Sequence, residues 1–337
     1  MLVKQRVLAN VRIVIATVIM FAVVAVLLVS SNSVAAAENN TANTLKVSPV
    51  RSDIEIQPGT SKTVQVTVTN LTKAEITVRP IENDFVSGDE RGTPALILDA
   101  DKFAPTHSLK RFMAPLSDVT IPAGKAKTIG VVITVPKDAQ AGGYFGAVRF
   151  APATPDSGGQ VNLDASVASL ILLTVPGEVT EKLNLTDFDI QQGGKSGSFF
   201  QSSNDLQASV RFENKGGLQA GPFGKVSVKQ GDKVVYEADF NNKDPRDMIL
   251  PDSARRWDIP LKNIDSFGNY TVSATFTYGK KNQTIEVSKS FWVIPQFVII
   301  ATVVGVLVLV GLIVGIWLLL RNRKRSSHSR GRVGFRN

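Results

Sequence analysis

Residues Phe297 to Leu320 run for 24 positions without a charge, and Arg321, Arg323, Lys324 and Arg325 follow at once. A helix rises about 1.5 Å per residue, so this run reaches about 36 Å, enough to cross a hydrocarbon core of about 30 Å with some tilt. Such a segment gives every other residue a side of the membrane. Lys and Arg flanks are costly to translocate and stay cytoplasmic. Residues 297–320 are therefore expected to form a single-pass transmembrane helix and residues 321–337 a basic cytoplasmic tail, with everything before Phe297 outside.

The other end of the chain fits that topology. Lys4, Arg6 and Arg12 precede an apolar run from Ile13 to Val29, after which the sequence turns small and polar. This is the layout of a secretory signal peptide over residues 1–37, with cleavage expected at Ala37 in Ala35-Ala36-Ala37 and an alternative cut after Ser33-Val34-Ala35. Seventeen apolar residues are long for a signal, so an uncleaved signal anchor is the other reading. Residues 38–44 are polar and featureless and read as a spacer.

Charge follows the same division. The chain carries +9 at pH 7 and has a pI near 9.7. The three basic residues before Ile13 and the seven after Leu320 account for all of that excess, and neither flank contains an acid. The exported stretch is close to neutral, so the basicity belongs to topology and not to a nucleic-acid-binding face. The tail can also hold anionic lipid headgroups, as most such tails can. Cysteine is absent, so disulfides play no part in stability. This fits an exported protein of a bacterial envelope better than an extracellular eukaryotic module.

Between Leu45 and Ile294 the pattern is nearly all strand. Val64, Val66 and Val68 alternate with Gln65, Thr67 and Thr69, the period of a half-buried strand, and Pro58-Gly59 supplies the turn before it. Ser52 to Thr69 lies over Ser117 to Thr134 without a gap, with eight of eighteen positions identical. Each copy reads as a strand, a turn needing Gly59 or Gly124, and a longer strand. Two such hairpins suit the facing sheets of a sandwich. Asp84 to Arg111 is the least regular part: either a solvated connection or an insertion carrying a binding surface. Val167 to Val175 is almost unbrokenly apolar, as in a strand buried on both faces, and Pro176-Gly177 ends it.

A first β-sandwich over residues 45–178 and a second over 181–294 follow. In the second, seven candidate strands begin near Lys182, Leu206, Lys225, Lys233, Arg255, Asn269 and Thr284, the count of an immunoglobulin-like sandwich. Asn214-Lys215-Gly216-Gly217 reads as a tight turn whose glycines permit positive φ. The fold class expected is all-β: two tandem immunoglobulin-like sandwiches plus one C-terminal transmembrane helix. The sequons at Asn70, Asn184, Asn269 and Asn282 read as chance occurrences of a permissive triplet.

Val47-Ser48-Pro49, Gln57-Pro58-Gly59, Val66-Thr67-Val68-Thr69-Asn70, Val135-Pro136-Lys137-Asp138-Ala139 and Gly143-Tyr144-Phe145-Gly146-Ala147-Val148 resemble the first domain of the WxL-interacting proteins of Gram-positive bacteria. Phe212 to Gly217, Ile249-Leu250-Pro251, Arg255-Arg256-Trp257 and Phe291-Trp292-Val293-Ile294-Pro295 resemble the region that follows in those proteins. In that family the first domain is associated with peptidoglycan and the second with host or extracellular matrix proteins, while the whole pairs with surface proteins bearing Trp-x-Leu motifs. What the resemblance implies here is a cell-surface role.

Catalysis finds little to work with. Of two histidines, His328 lies in the basic tail and His107 sits alone after Pro105, and no metal quartet or phosphate-cradling loop is present. Asp84, Asp89 and Glu90 are the nearest candidates for a glycosidase pair. The same acids lack the Asp-x-Asp-x-Asp-Gly arrangement of a calcium loop. No enzyme activity, cofactor or metal is expected. The function expected is adhesion or assembly at the cell envelope, with cell-wall glycan or other surface proteins as partners. The alternatives are a cell-wall glycan hydrolase and a structural or secretion-accessory subunit.

Asp84, Arg91, Tyr144 and Arg149 are the candidate surface residues of the first domain, Tyr144 having a core reading as well. Gly311 and Gly315 offer a small-xxx-small face for self-association in the membrane. Finally, Phe291 to Ile294 enters the apolar run through Pro295-Gln296 with almost no linker, and Trp292 and Trp317 lie where interfacial aromatics belong. The second domain should therefore sit close to the bilayer.

Overall fold

The repeated segments, which read as two hairpins, each bridge two sheets instead. In the computed structural model, which describes residues 44–153 and 166–326, the first copy places β2 (Arg51–Glu55) in one sheet and β3 (Ser61–Asn70) in the facing one. The second copy does the same with β6 (Val119–Ile121) and β7 (Ala126–Thr134). The turns at Gly59 and Gly124 have φ of +78° and +63°, a region open to glycine at little cost, and each carries the chain across the sandwich. The signal segment with Ala37, the stretch 154–165 and the tail from residue 327 with His328 lie outside the described residues.

β3 pairs antiparallel with β7 and with β1 (Leu45–Ser48) to make a three-stranded sheet. Val64, Val66 and Val68 point inward with Val131 and Ile133, and their threonine and glutamine neighbours face out. The facing sheet has the order β2, β9 (Val167–Val175), β8 (Gly142–Pro152), β4 (Ile76–Ser87), β5 (Pro94–Leu96), with β6 also on β4. Ile171, Leu173, Phe150 and Val148 close this core from that side.

A second core lies between a four-stranded and a five-stranded sheet. The first has the order β11 (Lys195–Ser196), β10 (Leu183–Gln192), β13 (Leu206–Asn214), β16 (Ser253–Pro260). The second has the order β12 (Phe199–Phe200), β18 (Gln283–Val293), β17 (Gly268–Tyr278), β14 (Phe223–Gln230), β15 (Lys233–Phe240). Phe212, Phe240 and Phe276 meet at its centre with ring centroids 4.9 to 6.3 Å apart, Phe276 edge-on to both of the others. Two tandem sandwiches are followed by one apolar helix, α1 (Gln296–Ser326), whose stretch Gln296–Val314 has a mean hydropathy of 3.2 and is covered by nothing else among the described residues.

The Gly216-Gly217 turn differs from expectation. Neither glycine is among the positive-φ residues. Gly216 is needed for space, because a Cβ there would lie 2.7 Å from Thr180 O and 2.8 Å from Lys182 N.

Each sandwich also buries one asparagine at the end of a central strand. Asn70 donates to the carbonyls of Ala74, Ile121 and Pro122 and accepts from the Thr72 amide and hydroxyl. Asn214 donates to Leu218 O and Ile249 O and accepts from Gly216 N–H. The Asn70 sequon is thus fully occupied by structure. Removing either side chain leaves buried backbone groups unpaired, each such loss costing on the order of 1 to 3 kcal/mol. Asn70→Ala and Asn214→Ala should each lower stability by about 2 kcal/mol, seen as a lower urea midpoint.

Candidate functional site

The irregular segment after β4 is pinned by three consecutive side chains of that strand. Glu82 accepts the Leu116 amide at 2.8 Å, and Asn83 donates to Ile97 O at 2.8 Å. Asp84 accepts the Ala104 and Lys110 amides, both at 2.8 Å, one on each carboxylate oxygen. Asp84 and Asn83 are fully buried, so Asp84 does not reach the surface. Two charge-assisted hydrogen bonds to backbone explain how a carboxylate is held inside.

Held this way, the segment presents a compact exposed patch. The Phe103 ring is 42% exposed, with Lys110 Nζ 5.0 Å and the Arg111 guanidinium 4.6 Å from its centroid. Lys102, exposed beside it, pairs with Asp99 at 3.3 Å. An exposed ring with cations around it can stack on the apolar face of a sugar and pair with an acidic group on the same ligand. Neither Phe103 nor Arg111 was singled out from the sequence. The signal available was an aromatic in a polar loop with basic pairs nearby.

The other candidates are dispersed. Arg149 lies opposite Ile81 on β8, half-buried, with its Nε 3.4 Å from Asn83 Oδ1. Tyr144 is half-buried, packs 4.9 Å from the Phe112 ring and donates its hydroxyl to Gln140 O at 2.8 Å; burial raises its pKa. His107, at φ +60°, places Nδ1 2.6 Å from Gly143 O and its ring against Phe145. Gly311 lies on α1, and among the described residues nothing beyond the helix's own backbone lies within 4 Å of where a Cβ would stand.

Arg91 is exposed at the tip of the Ser87–Pro94 loop, and that loop, although exposed, is tied down. Asp89 folds it by accepting the Arg91 and Thr93 amides and the Thr93 hydroxyl. The Thr93 bonds in particular hold the Asp89 carboxyl below its usual range. Glu90 reaches the second sandwich. Arg211 donates to it through Nε (3.0 Å to each oxygen) and Nη2 (2.6 Å), Arg256 Nε lies 3.8 Å away, and the Arg256 amide donates to Glu90 O at 2.6 Å. The Arg211 bonds hold the Glu90 pKa below its usual value.

Further contacts join the same two faces. Met248 and Leu250 pack on Phe85, Phe145 and Leu172, Arg51 Nη1 donates to Arg246 O at 2.7 Å, and Gly143 N–H donates to Gly217 O at 2.9 Å. Beside them a cleft of about 240 Å³ is lined by Phe85, Leu170, Leu172, Met248 and Leu250 with Arg255 at its wall. Asp84, Asp89 and Glu90 are thus each committed to holding structure.

Residues 52–152 match the family described as WxL Interacting Protein, peptidoglycan binding domain, which supports membership of the WxL-interacting proteins. No curated protein matches the chain at a significant level. Among solved structures, the class 5 fimbriae chaperone CfaA is 16% identical and covers 73% of this chain and 98% of its own, with a TM-score of 0.38. The E. coli chaperone DraB is 15% identical over 74% and 96%, with a TM-score of 0.30. The Pseudomonas aeruginosa CupB2 chaperone is 8% identical over 72% and 99%, with a TM-score of 0.33. Likeness at this level carries no argument about what this chain does.

Proposed function

We propose that this chain, as a member of the WxL-interacting proteins, is a membrane-anchored binding protein of the bacterial cell surface whose first sandwich binds peptidoglycan. The observation that carries the reading is the family match over residues 52–152. The apolar helix α1 would anchor it with both sandwiches outside, and Gly311 and Gly315 would form the face through which copies meet. The binding surface would be the patch of Phe103, Lys110 and Arg111, with Arg91, Tyr144 and Arg149 outside its centre. An aromatic ring with adjacent cations suits a glycan that carries carboxylates. The commitment of Asp84, Asp89 and Glu90 to structural partners favours binding over hydrolysis.

The test is sedimentation of the full chain in detergent with purified peptidoglycan. The intact protein should pellet without releasing soluble fragments, and Phe103→Ala with Arg111→Ala should lower the bound fraction roughly tenfold, as loss of about 1.4 kcal/mol would. Arg91→Ala should change it little. Release of muropeptides would replace this reading with a hydrolase, and absence of pelleting would remove the glycan.

A further inference from the structure

Three exposed aromatic side chains from separate parts of the sequence lie at the end of the sheet where the second sandwich passes into α1. Phe199 is 72% exposed, Phe267 53% and Trp292 40%. The strand pairings bring them together. β12 runs parallel to β18 with Phe199 beside Trp292 and Phe200 beside Val293, locked by Trp292 N–H to Ser198 O and Ile294 N–H to Phe200 O, both 2.8 Å. On the other side of β18, β17 begins with Gly268 opposite Val293, which puts Phe267 at the same end. Alternation then sorts the side chains: Phe200, Phe291 and Val293 enter the core, so Phe199 and Trp292 face out.

This end of the sheet is also where the membrane segment starts. β18 ends at Val293 and α1 begins at Gln296, and Val298 N–H already bonds to Pro295 O at 3.0 Å. Five residues span at most about 17 Å, so Phe297, the first apolar residue of the helix, cannot be far from Trp292. Isolated exposed apolar residues need no explanation, but a cluster of large rings does. Aromatic rings concentrate at the level of lipid headgroups, where one face meets hydrocarbon and the edge meets water.

We infer that Phe199, Phe267 and Trp292 form a footprint that seats the second sandwich in the headgroup layer of the bilayer that α1 crosses. The inference rests on the anchored reading above and goes beyond it. The helix alone would tether the ectodomain, whereas three rings on a rigid sheet end hold it at a fixed height and limit its swing. The partner is the lipid interface, identified by continuity with the apolar helix.

The chain has no cysteine, so single labels can be placed cleanly. The full chain carrying an environment-sensitive fluorophore at Lys62→Cys, Ser198→Cys, Ser266→Cys or Leu307→Cys would be reconstituted in nanodiscs with and without spin-labelled lipid. Expected is strong quenching at 307, clear quenching at 198 and 266, and none at 62. In the Phe199→Ser, Phe267→Ser, Trp292→Ser background, quenching at 198 and 266 should fall to the level at 62 while that at 307 persists. Strong quenching at 307 with 198 and 266 as unquenched as 62 would overturn the footprint and leave the anchor. Loss of quenching at 307 itself would overturn both. The three replaced side chains are exposed, and an unchanged circular dichroism spectrum would show that the sandwich survives their loss.

Discussion

Asp84→Ala should destabilise the first sandwich by about 3 kcal/mol, since hydrogen bonds to charged groups contribute about 1.5 to 3 kcal/mol each and one buried and one half-buried amide lose their acceptor. The Ala104 and Lys110 amides are those donors. Asp84→Asn keeps the shape and one acceptor oxygen, so its cost should be smaller. Arg149→Ala, which loses a long, half-buried bond of 3.4 Å to Asn83, should cost about 1 kcal/mol. All three tryptophans, Trp257, Trp292 and Trp317, lie outside the first sandwich, so tryptophan fluorescence would miss the transition. Far-ultraviolet dichroism in urea, with hydrogen exchange at Ala104 and Lys110, reads it directly. Because Asp84 holds the segment that presents Phe103, Asp84→Ala should also weaken peptidoglycan sedimentation without touching the ring. Full stability in Asp84→Ala would mean that the segment is held by other contacts.

How much of this was legible in the sequence depends on whether the cause is local. The alternation of Val64, Val66 and Val68 is local, since every second residue of a strand meets the same face, and it placed β3 correctly. The nearly unbroken apolar run from Val167 to Val175 announced a strand buried on both faces. What covers the outer face could not be read: Leu172 meets Met248 and Leu250 from a loop about 75 residues later. The repeat showed two strand–turn–strand units but not that each turn crosses between sheets, because sheet membership is decided by long-range pairing.

Polar residues misled for the same reason. Asp84, Asn70 and Asn214 resemble surface residues in any local window. They are buried because backbone groups from distant loops converge on them. Gly216 is required by a close backbone approach and not by its own φ, which no single-chain pattern reveals. Phe103 and Arg111 lay within the irregular segment already marked as a possible binding insertion, but which of its side chains are presented depends on where Asp84 pins it.

Glu90→Arg should separate the two sandwiches while leaving each folded. Glu90 is partly exposed, so its pairing with Arg211 contributes only about 1 kcal/mol at the surface. Reversal does more than remove that, because it sets a third cation among Arg211 and Arg256. Like charges at so exposed a site repel by a similar amount, about 1 kcal/mol for each neighbouring guanidinium, so reversal turns the attraction into a repulsion of comparable size. The Met248 and Leu250 contacts and the Arg51 and Gly143 hydrogen bonds would then have to hold the faces together against that repulsion, and the Arg256 amide bond to Glu90 O should open with the loop. Expected are a larger radius of gyration by small-angle scattering, faster cleavage by protease near Pro176 to Glu181, and faster exchange at the Gly143 and Arg256 amides. The thermal transitions of the separate sandwiches should move little. Arg211→Glu in the same background should restore the compact form. Acidification provides the same test without mutation. A carboxyl held below its usual pKa contributes stability at neutral pH that is lost as pH falls through its depressed folded value. The clasp should thus persist at pH 5 and open only below the ordinary carboxylate range, about 4. If the second sandwich is seated on the bilayer, this clasp sets the direction in which the Phe103 patch faces the wall. Glu90→Arg should therefore lower peptidoglycan capture by anchored protein in vesicles more than by the same protein in detergent. Equal loss in both would place the effect within the first sandwich itself.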